Sequence, residues 1–157
     1  MKLSRDEFTI STDNSAQQAE RIHAYLRRSY WAENIPLELL KRAINGSLCC
    51  GIFHRGEQIA FARVITDRAT FAYLCDVYVL ESYQGQGLGS WLIETVVAHP
   101  DLCGLPRFVL LTRDAHSLYE KYGFTVLARP AIQQVLLDVW PRTANGELDL
   151  DRAPLSL

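Results

Sequence analysis

One short stretch of this sequence has the composition to hold an anion with backbone groups alone. In VYVLESYQGQGLGSWL, residues 77–92, an apolar run meets three glycines at alternate positions and then passes into a helical pattern. A helix N-terminus leaves N–H groups unpaired and carries partial positive charge, and glycine lets a ligand approach the backbone closely. No Lys or Arg stands in the turn, so the N–H groups of residues 85–90 would have to hold a phosphate by themselves.

Three other interpretations of the stretch compete with an anion site. The glycine spacing is G-x-G-x-G, whereas the dinucleotide-binding fingerprint needs G-x-G-x-x-G. No Lys-Ser or Lys-Thr pair follows, which excludes a phosphate loop of the Walker type. Three glycines between a strand and a helix can also form a compact turn that binds nothing. The position behind a buried strand and at the start of a helix favours the anion site.

Composition and charge exclude several classes of function. The 157 residues carry a net charge of −2, without the basic stripe that a nucleic-acid-binding surface needs. No apolar run approaches the ~20 residues of a membrane span, and the start, MKLSRDEFTIS, lacks the apolar core of a signal peptide. We therefore expect one cytoplasmic domain over residues 1–157, with no nucleic-acid partner and no membrane partner.

The cysteines and histidines do not have the spacing of a metal site or a hydrolase. No C-x-x-C pair is present, so zinc-ligand spacing is missing, and we expect free thiols and no metal. Asp114 and His116 raise the alternative of a hydrolase triad, but no G-x-S-x-G segment accompanies them. The four cysteines are Cys49, Cys50, Cys75 and Cys103.

The first part of the chain predicts a strand and two helices. FTIS, residues 8–11, alternates like a strand. Ser15 and Gln18 have the form of a capping box, which predicts a helix over 16–28. Beyond the aromatic loop SYWAENIP, a second helix should begin at Pro36 and end at Gly46.

From residue 47 onward the period is that of strands. SLCCGIFH and IAFARVIT predict a hairpin around the turn RGEQ. TFAYLCDVYV, residues 70–79, predicts a long strand that runs directly into the glycine stretch. Strict alternation would place Phe71, Tyr73, Cys75, Val77 and Val79 on one face, and Ala72, Leu74, Asp76 and Tyr78 on the other.

Two helices and three strands are predicted after the glycine stretch. Leu88, Leu92 and Val96 recur at helical spacing, and His99-Pro100 ends that helix. RFVLLT predicts a buried strand, AHSLYEKYG a short helix, and FTVL and QQVLLDVW two final strands. The core would span about 8–140, with a loose tail over 141–157. The order β α α β β β α β α β β predicts an α+β fold with a mixed sheet.

Two motifs, in order and on the expected elements, resemble the GNAT superfamily of N-acetyltransferases. Gln84-x-x-Gly87-x-Gly89 matches the Q/R-x-x-G-x-G/A signature, and AHSLYEKYGF, residues 115–124, is similar to the A-x-x-L-Y-E-K-x-G-F segment of the family. The resemblance covers about residues 70–126 in motif and about 8–140 in element order. It implies a GNAT-like mixed, mostly antiparallel central sheet flanked by helices, with the fourth and fifth strands splayed apart.

The resemblance implies acetyl-CoA as the acetyl donor, with its pyrophosphate on the glycine loop. In this family the fourth strand pairs with the pantetheine arm, so the backbone of Val79 would lie along the cofactor. The N–H of Val77 would then face the thioester carbonyl as a small oxyanion hole. The residues expected around the pyrophosphate are Gln84, Gly85, Gln86, Gly87, Leu88, Gly89 and Ser90.

The chemistry implied is transfer of an acetyl group to a primary amine of a small molecule, by direct attack in a ternary complex. Tyr119 matches the family tyrosine near the coenzyme sulfur, and a phenol is protonated at neutral pH and can donate to the leaving thiolate. The alternative is that Tyr119 is a core residue without a catalytic role. Asp76 is the candidate base, through a water, or the anchor of a cationic amine; its alternative is a structural aspartate.

The sequence indicates the acceptor site only through a few aromatic residues. Tyr30, Trp31 and Tyr73 are expected to wall it, since aromatic walls with a carboxylate suit a small amine. Alternative functions are acetylation of a protein N-terminus or lysine, and a CoA-binding regulatory module without turnover. The apolar segment VLLDVW could also pair two copies into a homodimer.

Overall fold

Six strands form one mixed sheet, and they lie in the sheet in the order in which they occur in the chain. The first five pair antiparallel with one another, and the sixth pairs parallel with the fifth. This computed structural model describes residues 1–113 and 115–126. The strands are β1 (Lys2–Arg5), β2 (Phe8–Ser11), β3 (Leu48–His54), β4 (Glu57–Thr66), β5 (Ala72–Val79) and β6 (Phe108–Leu110).

Helices flank both faces of the sheet, which confirms the predicted α+β fold. Ala62 and Val64 of β4 pack in the core with Leu92, so this side is called the α3 face. On the other side, the α1 face, Tyr78 of β5 stacks on Tyr25. The helices are α1 (Ala19–Leu26), α2 (Leu37–Asn45), α3 (Leu88–Val97) and α4 (His116–Glu120).

Among the strands of the described residues, β1 is the one that the sequence pattern did not predict. All four of its residues are exposed, so it has no alternation of apolar and polar side chains to reveal it. It precedes the predicted strands, and the predicted fourth and fifth strands are therefore β5 and β6. Strand FTIS, helix α2 between Pro36 and Gly46, and helix α3 are confirmed.

Several predicted boundaries are wrong by a few residues. The hairpin turn is Arg55-Gly56 alone, and both residues have positive φ, as a two-residue turn requires. RFVLLT forms a strand only over Phe108–Leu110, and that strand is half-buried rather than buried. No strand forms over 124–126, while QQVLLDVW and the predicted tail lie outside the described residues. Two compact units divide the chain, Met1–Thr125 and Val126–Leu157.

Helix α1 begins at Ala19 and has no capping box, because the glutamines before it bind the β3–β4 hairpin instead. The side chain of Gln58, which is 1% exposed, accepts from the Gln18 N–H at 2.7 Å and donates to Gln17 Oε1 at 2.9 Å. Gln18 in turn accepts from the Gln58 N–H at 2.9 Å. A Cβ at Gly51 would lie 2.5 Å from both side-chain amides, so glycine provides the room for this network.

The described chain also bears on three expected absences. All four cysteines are free thiols, as predicted. Within residues 1–113 and 115–126, no helix is long and apolar enough to cross a membrane. The same residues contain no group of three or more His, Cys, Asp or Glu side chains placed to hold a metal ion.

Replacing Gln58 with Met should lower the free energy of unfolding by about 1–3 kcal/mol. The variant keeps the volume of the side chain but leaves the Gln18 N–H and Gln17 Oε1 without the hydrogen bonds that Gln58 makes to them. Urea denaturation would show a lower midpoint at an unchanged m-value. Gln86→Met, at an exposed position, is the matched control and should stay within about 0.5 kcal/mol of wild type. Equal effects of the two substitutions would contradict the role of the network.

Candidate active site

Strand β5 contains a β-bulge where it pairs with β4. Two of its residues, Asp76 and Val77, lie opposite the single residue Ala62. Asp76 has a φ of 54°, in the left-handed region that costs a residue other than glycine about 1–2 kcal/mol. A bulge places one additional residue in a strand and changes the alternation of side chains beyond it.

The bulge determines which side chains of β5 share a face. Leu74, before the bulge, lies in the core on the α3 face, and Val77 and Val79, after it, pack against the same core. Tyr78 points to the α1 face, where its ring lies 3.9 Å from that of Tyr25, centroid to centroid. Asp76 contacts Arg63 on the α1 face as well. The predicted assignment of β5 side chains to the two faces of the sheet is therefore wrong. Val77 and Val79 lie on the same face as Leu74, and not on the face of Tyr73 and Cys75.

Strand β5 continues beyond its pairing with β6. The pairing joins Ala72–Leu74 to Phe108–Leu110. Over the next five residues, Cys75–Val79, the edge of β5 that faces away from β4 pairs with no strand in the described part of the chain. This confirms the predicted splay of the two strands and leaves an opening in the sheet between them.

The backbone groups of Val77 and Val79 face this opening. The Leu80 N–H donates to Ile59 O at 2.9 Å, a bond that flanks the pair Ala60–Val79 and shows that this pair exchanges no hydrogen bonds of its own. The N–H and C=O of Val79 therefore point away from β4. Residues of an antiparallel strand alternate in this respect, so the N–H and C=O of Val77 point the same way.

The glycine stretch forms the turn between β5 and α3. Gly85 and Gly87 have φ angles of 79° and 75°, which favour glycine, and Gly87 is the N-cap of α3. A Cβ at either position would meet nothing within 4 Å. In the part of the chain that the structure describes, the N–H groups of residues 85–90 donate no hydrogen bond. The turn thus presents a row of free N–H groups at a helix N-terminus, as predicted for an anion site.

Gln84 fastens this turn to the end of β5. Its Nε2 donates to Val79 O at 3.0 Å, and its backbone N–H donates to Glu81 O at 3.3 Å. The free N–H groups consequently begin at Gly85 rather than at Gln84. Tyr83, the preceding residue, is held by a hydrogen bond of 3.0 Å between its hydroxyl and His54 Nδ1.

Helix α4 brings Tyr119 and Tyr122 to the α3 side of the opening. Tyr119 is 8% exposed and belongs to the core cluster that contains Leu74 and Leu88. Its ring lies edge-on to Phe124, with centroids 6.0 Å apart. The Tyr122 hydroxyl donates to Ser90 O at 2.9 Å, which ties α4 to the first turn of α3.

Asp76 is one half of a largely buried ion pair. Its Oδ2 lies 2.6 Å from Arg63 Nε, and their side chains are 9% and 15% exposed. Arg63 also donates to Ser47 Oγ at 3.1 Å. Burial acts to lower the pKa of Arg63, but the charge of Asp76 and the hydrogen bond to it, together with the neighbouring Cys75 and Cys49, outweigh burial, and the pKa is raised. The Asp76 carboxylate is thus already engaged by a cation.

The thiol beside Asp76 does not offer a nucleophile. Burial raises the pKa of Cys75 to about 12, so this side chain is a neutral thiol at physiological pH. Burial also raises the pKa of Tyr73, which lies on the same face as Asp76 and half-buried. Tyr73 is therefore a neutral phenol at physiological pH.

The loop between α1 and α2 lies on the α1 face, close to the opening. Tyr30 and Trp31 are 53% and 41% exposed, and their rings meet edge-on with centroids 4.9 Å apart. The guanidinium of Arg113, beyond the end of β6, lies 3.8 Å from the centroid of the Tyr30 ring. This contact joins the loop to the strand on the far side of the opening.

Sequence reasoning missed two residues of this site. Arg63 stands in the apolar strand IAFARVIT, and a charged residue there signals a buried partner, which is Asp76. Arg113 gave no comparable signal, because only the fold brings it to Tyr30. Asp114, considered above for a hydrolase triad, lies outside the described residues, and His116 is exposed at the start of α4.

Comparison with known proteins places this architecture in a family. A sequence model of the acetyltransferase (GNAT) family matches residues 13–124. A presumed acetyltransferase from Gibberella zeae is 32% identical to this chain in an alignment of 140 residues. The match covers 74% of this chain and 78% of the relative.

Solved structures show the same architecture. A presumed acetyltransferase of the GNAT family from Xanthomonas campestris pv. campestris is 50% identical, with a TM-score of 0.79, and the match covers 82% of this chain and 93% of that one. A predicted acetyltransferase from Clostridium acetobutylicum, solved with acetyl-CoA, shows likeness of fold alone: 16% identity and a TM-score of 0.60 over 81% and 94% of the two chains. The chain belongs to the GNAT superfamily of N-acetyltransferases and is an acyltransferase of the EC 2.3.1 type.

Proposed function

We propose that this acetyltransferase takes its acetyl group from acetyl-CoA and transfers it to the primary amine of a small molecule, by direct attack in a ternary complex. The observation that carries the proposal is the row of free N–H groups over 85–90 beside the opening between β5 and β6. Acetyl-CoA has an anionic pyrophosphate, which suits the free N–H groups, and an extended pantetheine arm, which suits the opening between the strands.

The residues present fit the coenzyme in charge, space and hydrogen bonding. The N–H groups are donors at a helix N-terminus, where the macrodipole favours an anion. The space beyond the α-carbons of Gly85 and Gly87 is open, so phosphate oxygens could approach the backbone. Val79 has an N–H at the open edge, and a strand edge of this kind can pair with the amides of an extended ligand.

Acetyl-CoA supplies an activated thioester, and the chain would orient and polarise it. The N–H of Val77 faces the opening, where it could donate to the carbonyl oxygen as negative charge grows there. The bulge sets the direction of this N–H, because without the additional residue the backbone groups of Val77 and Cys75 would point the same way. The hydrogen bond would be preorganised by the sheet rather than formed by a mobile side chain.

We assign Tyr119 to protonation of the leaving thiolate. The residue lies buried on α4, on the same side of the sheet as the side chains of Val77 and Val79. A thiol is a tolerable leaving group, so a weak acid is sufficient, and a phenol holds its proton at neutral pH.

We propose that Asp76 is a positioning residue rather than the base. Its carboxylate already accepts a hydrogen bond from Arg63 at 2.6 Å, so it is engaged by that guanidinium. We infer from its place at the bulge that the left-handed conformation of this residue directs Val77 toward the opening, while Arg63 neutralises its buried charge. The amine would then enter as the neutral form or lose its proton to water.

A small acceptor is favoured over a protein acceptor by the loop between α1 and α2. Its contact with Arg113 spans the opening on the α1 face, where an extended peptide would need a free groove. The alternative of a regulatory module predicts coenzyme binding without transfer to any amine. Detection of free CoA across a panel of amines separates these possibilities.

Gly87→Ala should weaken binding of acetyl-CoA at least tenfold. A Cβ at this position would enter the space next to the N–H groups, and the residue would keep a φ of 75° only under strain. The matched control is Gly56→Ala in the β3–β4 turn, where φ is 86° and the space is equally open. Both variants should lose about 1 kcal/mol of stability. Isothermal titration would contradict the anion site if Gly87→Ala and Gly56→Ala bound the coenzyme equally well.

Tyr119→Phe should lower kcat about 10- to 100-fold and leave the affinity for acetyl-CoA within about threefold of wild type, because only proton donation is lost. The matched control is Tyr122→Phe, three residues later in the same motif. It removes a hydroxyl that donates to Ser90 O and should change kcat less than threefold. Steady-state kinetics with matched titrations measures both values. An unchanged kcat in Tyr119→Phe would remove this residue from the mechanism.

Asp76→Asn should lower the free energy of unfolding by about 3 kcal/mol, because the buried Arg63 would lose its counter-ion. Asparagine tolerates the left-handed conformation, so the bulge itself can persist. The double variant Arg63→Met/Asp76→Asn should regain most of that stability, because both charges are then gone.

Kinetics of the double variant separates positioning from base catalysis. If Asp76 serves only to occupy the left-handed position of the bulge, which asparagine also tolerates, kcat of the folded double variant should stay within about threefold of wild type. If Asp76 is the base, kcat should stay at least about 100-fold lower, and the acidic limb of the pH profile should disappear. The second result would restore Asp76 to the chemistry.

A further inference from the structure

The contact between Tyr30 and Arg113 defines a small site on the α1 face. The guanidinium lies 3.8 Å from the centroid of the phenol ring, within the range of a cation–π interaction. The ring of Trp31 stands edge-on to that of Tyr30. All three residues are exposed, so a cation and two aromatic surfaces face solvent together.

This site lies where the acceptor would approach the opening. Tyr30 follows α1, and Tyr25 of that helix stacks on Tyr78 of β5. Arg113 is in the segment after Leu110, the last residue of β6, which pairs with Leu74 below the open part of β5. The two residues therefore meet across the opening, on the face opposite to α3 and the glycine turn.

Within the residues that the structure describes, Arg113 has no acidic partner, in contrast to Arg28 and Arg63. Arg28 pairs with Glu81 at 3.3 Å, and Arg63 pairs with Asp76. Within the described residues, Arg113 makes no hydrogen bond and no ion pair, and the Tyr30 ring is its contact. Stacking uses the face of a guanidinium and leaves the N–H donors along its edge free.

An orientated guanidinium with free edge donors is suited to a planar or tetrahedral anion. Carboxylate and phosphate oxygens accept two parallel N–H bonds from it, and such bidentate pairs are stronger than neutral hydrogen bonds. The stack on Tyr30 also restricts the side chain before a ligand arrives, which lowers the entropy lost on binding.

We propose that Arg113, held by Tyr30, binds an anionic group of the acceptor, so that the substrate is a small amine that also carries a carboxylate or a phosphate. Trp31 would contact its body. The inference rests on the proposed function, since it identifies the class of amine that the same site takes. It also replaces the expectation that a carboxylate anchors a cationic acceptor, because Asp76 is already paired with Arg63.

The test is the binding of matched amines to the full-length protein saturated with CoA, measured by isothermal titration. L-Phenylalanine against 2-phenylethylamine isolates a carboxylate, and O-phosphoethanolamine against ethanolamine isolates a phosphate. In at least one pair, the amine that carries the carboxylate or phosphate should bind wild type at least tenfold more tightly than the amine that lacks it. The pair that shows the preference identifies the anion.

Arg113→Gln should abolish that preference by weakening the amine that carries the anionic group at least tenfold and the amine that lacks it less than twofold. Arg113→Lys, which keeps the charge but not the fork, should retain only part of it. The control is Arg5→Gln on β1, at the opposite edge of the sheet, and it should match wild type. Equal binding of both members of each pair, no binding of any of the four amines, or a preference that survives Arg113→Gln would overturn the inference.

Failure of the inference and failure of the proposed function give different results. If acetyl groups are transferred to 2-phenylethylamine and to ethanolamine as efficiently as to L-phenylalanine and O-phosphoethanolamine, the acetyltransferase function stands and the role of Arg113 falls. If acetyl-CoA does not bind while the Arg113-dependent preference for an anion persists, the anion site stands and the proposed donor falls.

Discussion

The ion pair between Arg63 and Asp76 lies where β5 changes direction, and much of the site depends on that change. Asp76 occupies a left-handed conformation that costs about 1–2 kcal/mol, and the 2.6 Å bond to Arg63 offsets that cost. Beyond the bulge, Val77 and Val79 face α3 while Tyr78 faces α1. The bulge at Asp76 thus decides which groups of the strand reach each side of the sheet.

The free backbone groups follow from the same part of the fold. A sheet normally pairs the N–H and C=O groups of its inner strands, yet β5 pairs with β6 over Ala72–Leu74 alone. Its remaining edge adjoins the turn over 85–90, whose N–H groups are also free. Gln84 joins the two regions through its bond to Val79 O. The α3 side therefore offers backbone donors, whereas the α1 side offers the side chains of Tyr30, Trp31 and Arg113.

The glycine turn at the start of α3 could be predicted from the sequence because it depends on local features. Glycine spacing, the preceding apolar run and the helical period after it all lie within residues 77–97. The faces of β5 could not be predicted, because a bulge depends on the register with β4 and leaves the alternation of residue types unchanged. The partners of Asp76 and Tyr30 were missed for a related reason: Arg63 and Arg113 reach them only through pairing of distant strands and loops. The capping box failed because Gln17 and Gln18 found better partners in the β3–β4 hairpin.

The most direct measurement of the central claim is a titration of ¹⁵N-labelled protein with acetyl-CoA, followed by amide chemical shifts. If the backbone of the turn and of the open strand edge holds the coenzyme, the largest shifts should occur at the N–H groups of residues 85–90 and of Val77 and Val79. The amides of β1 and β2, at the far edge of the sheet, should change little. Shifts concentrated elsewhere, with residues 85–90 unchanged at saturating coenzyme, would contradict the assignment of this site.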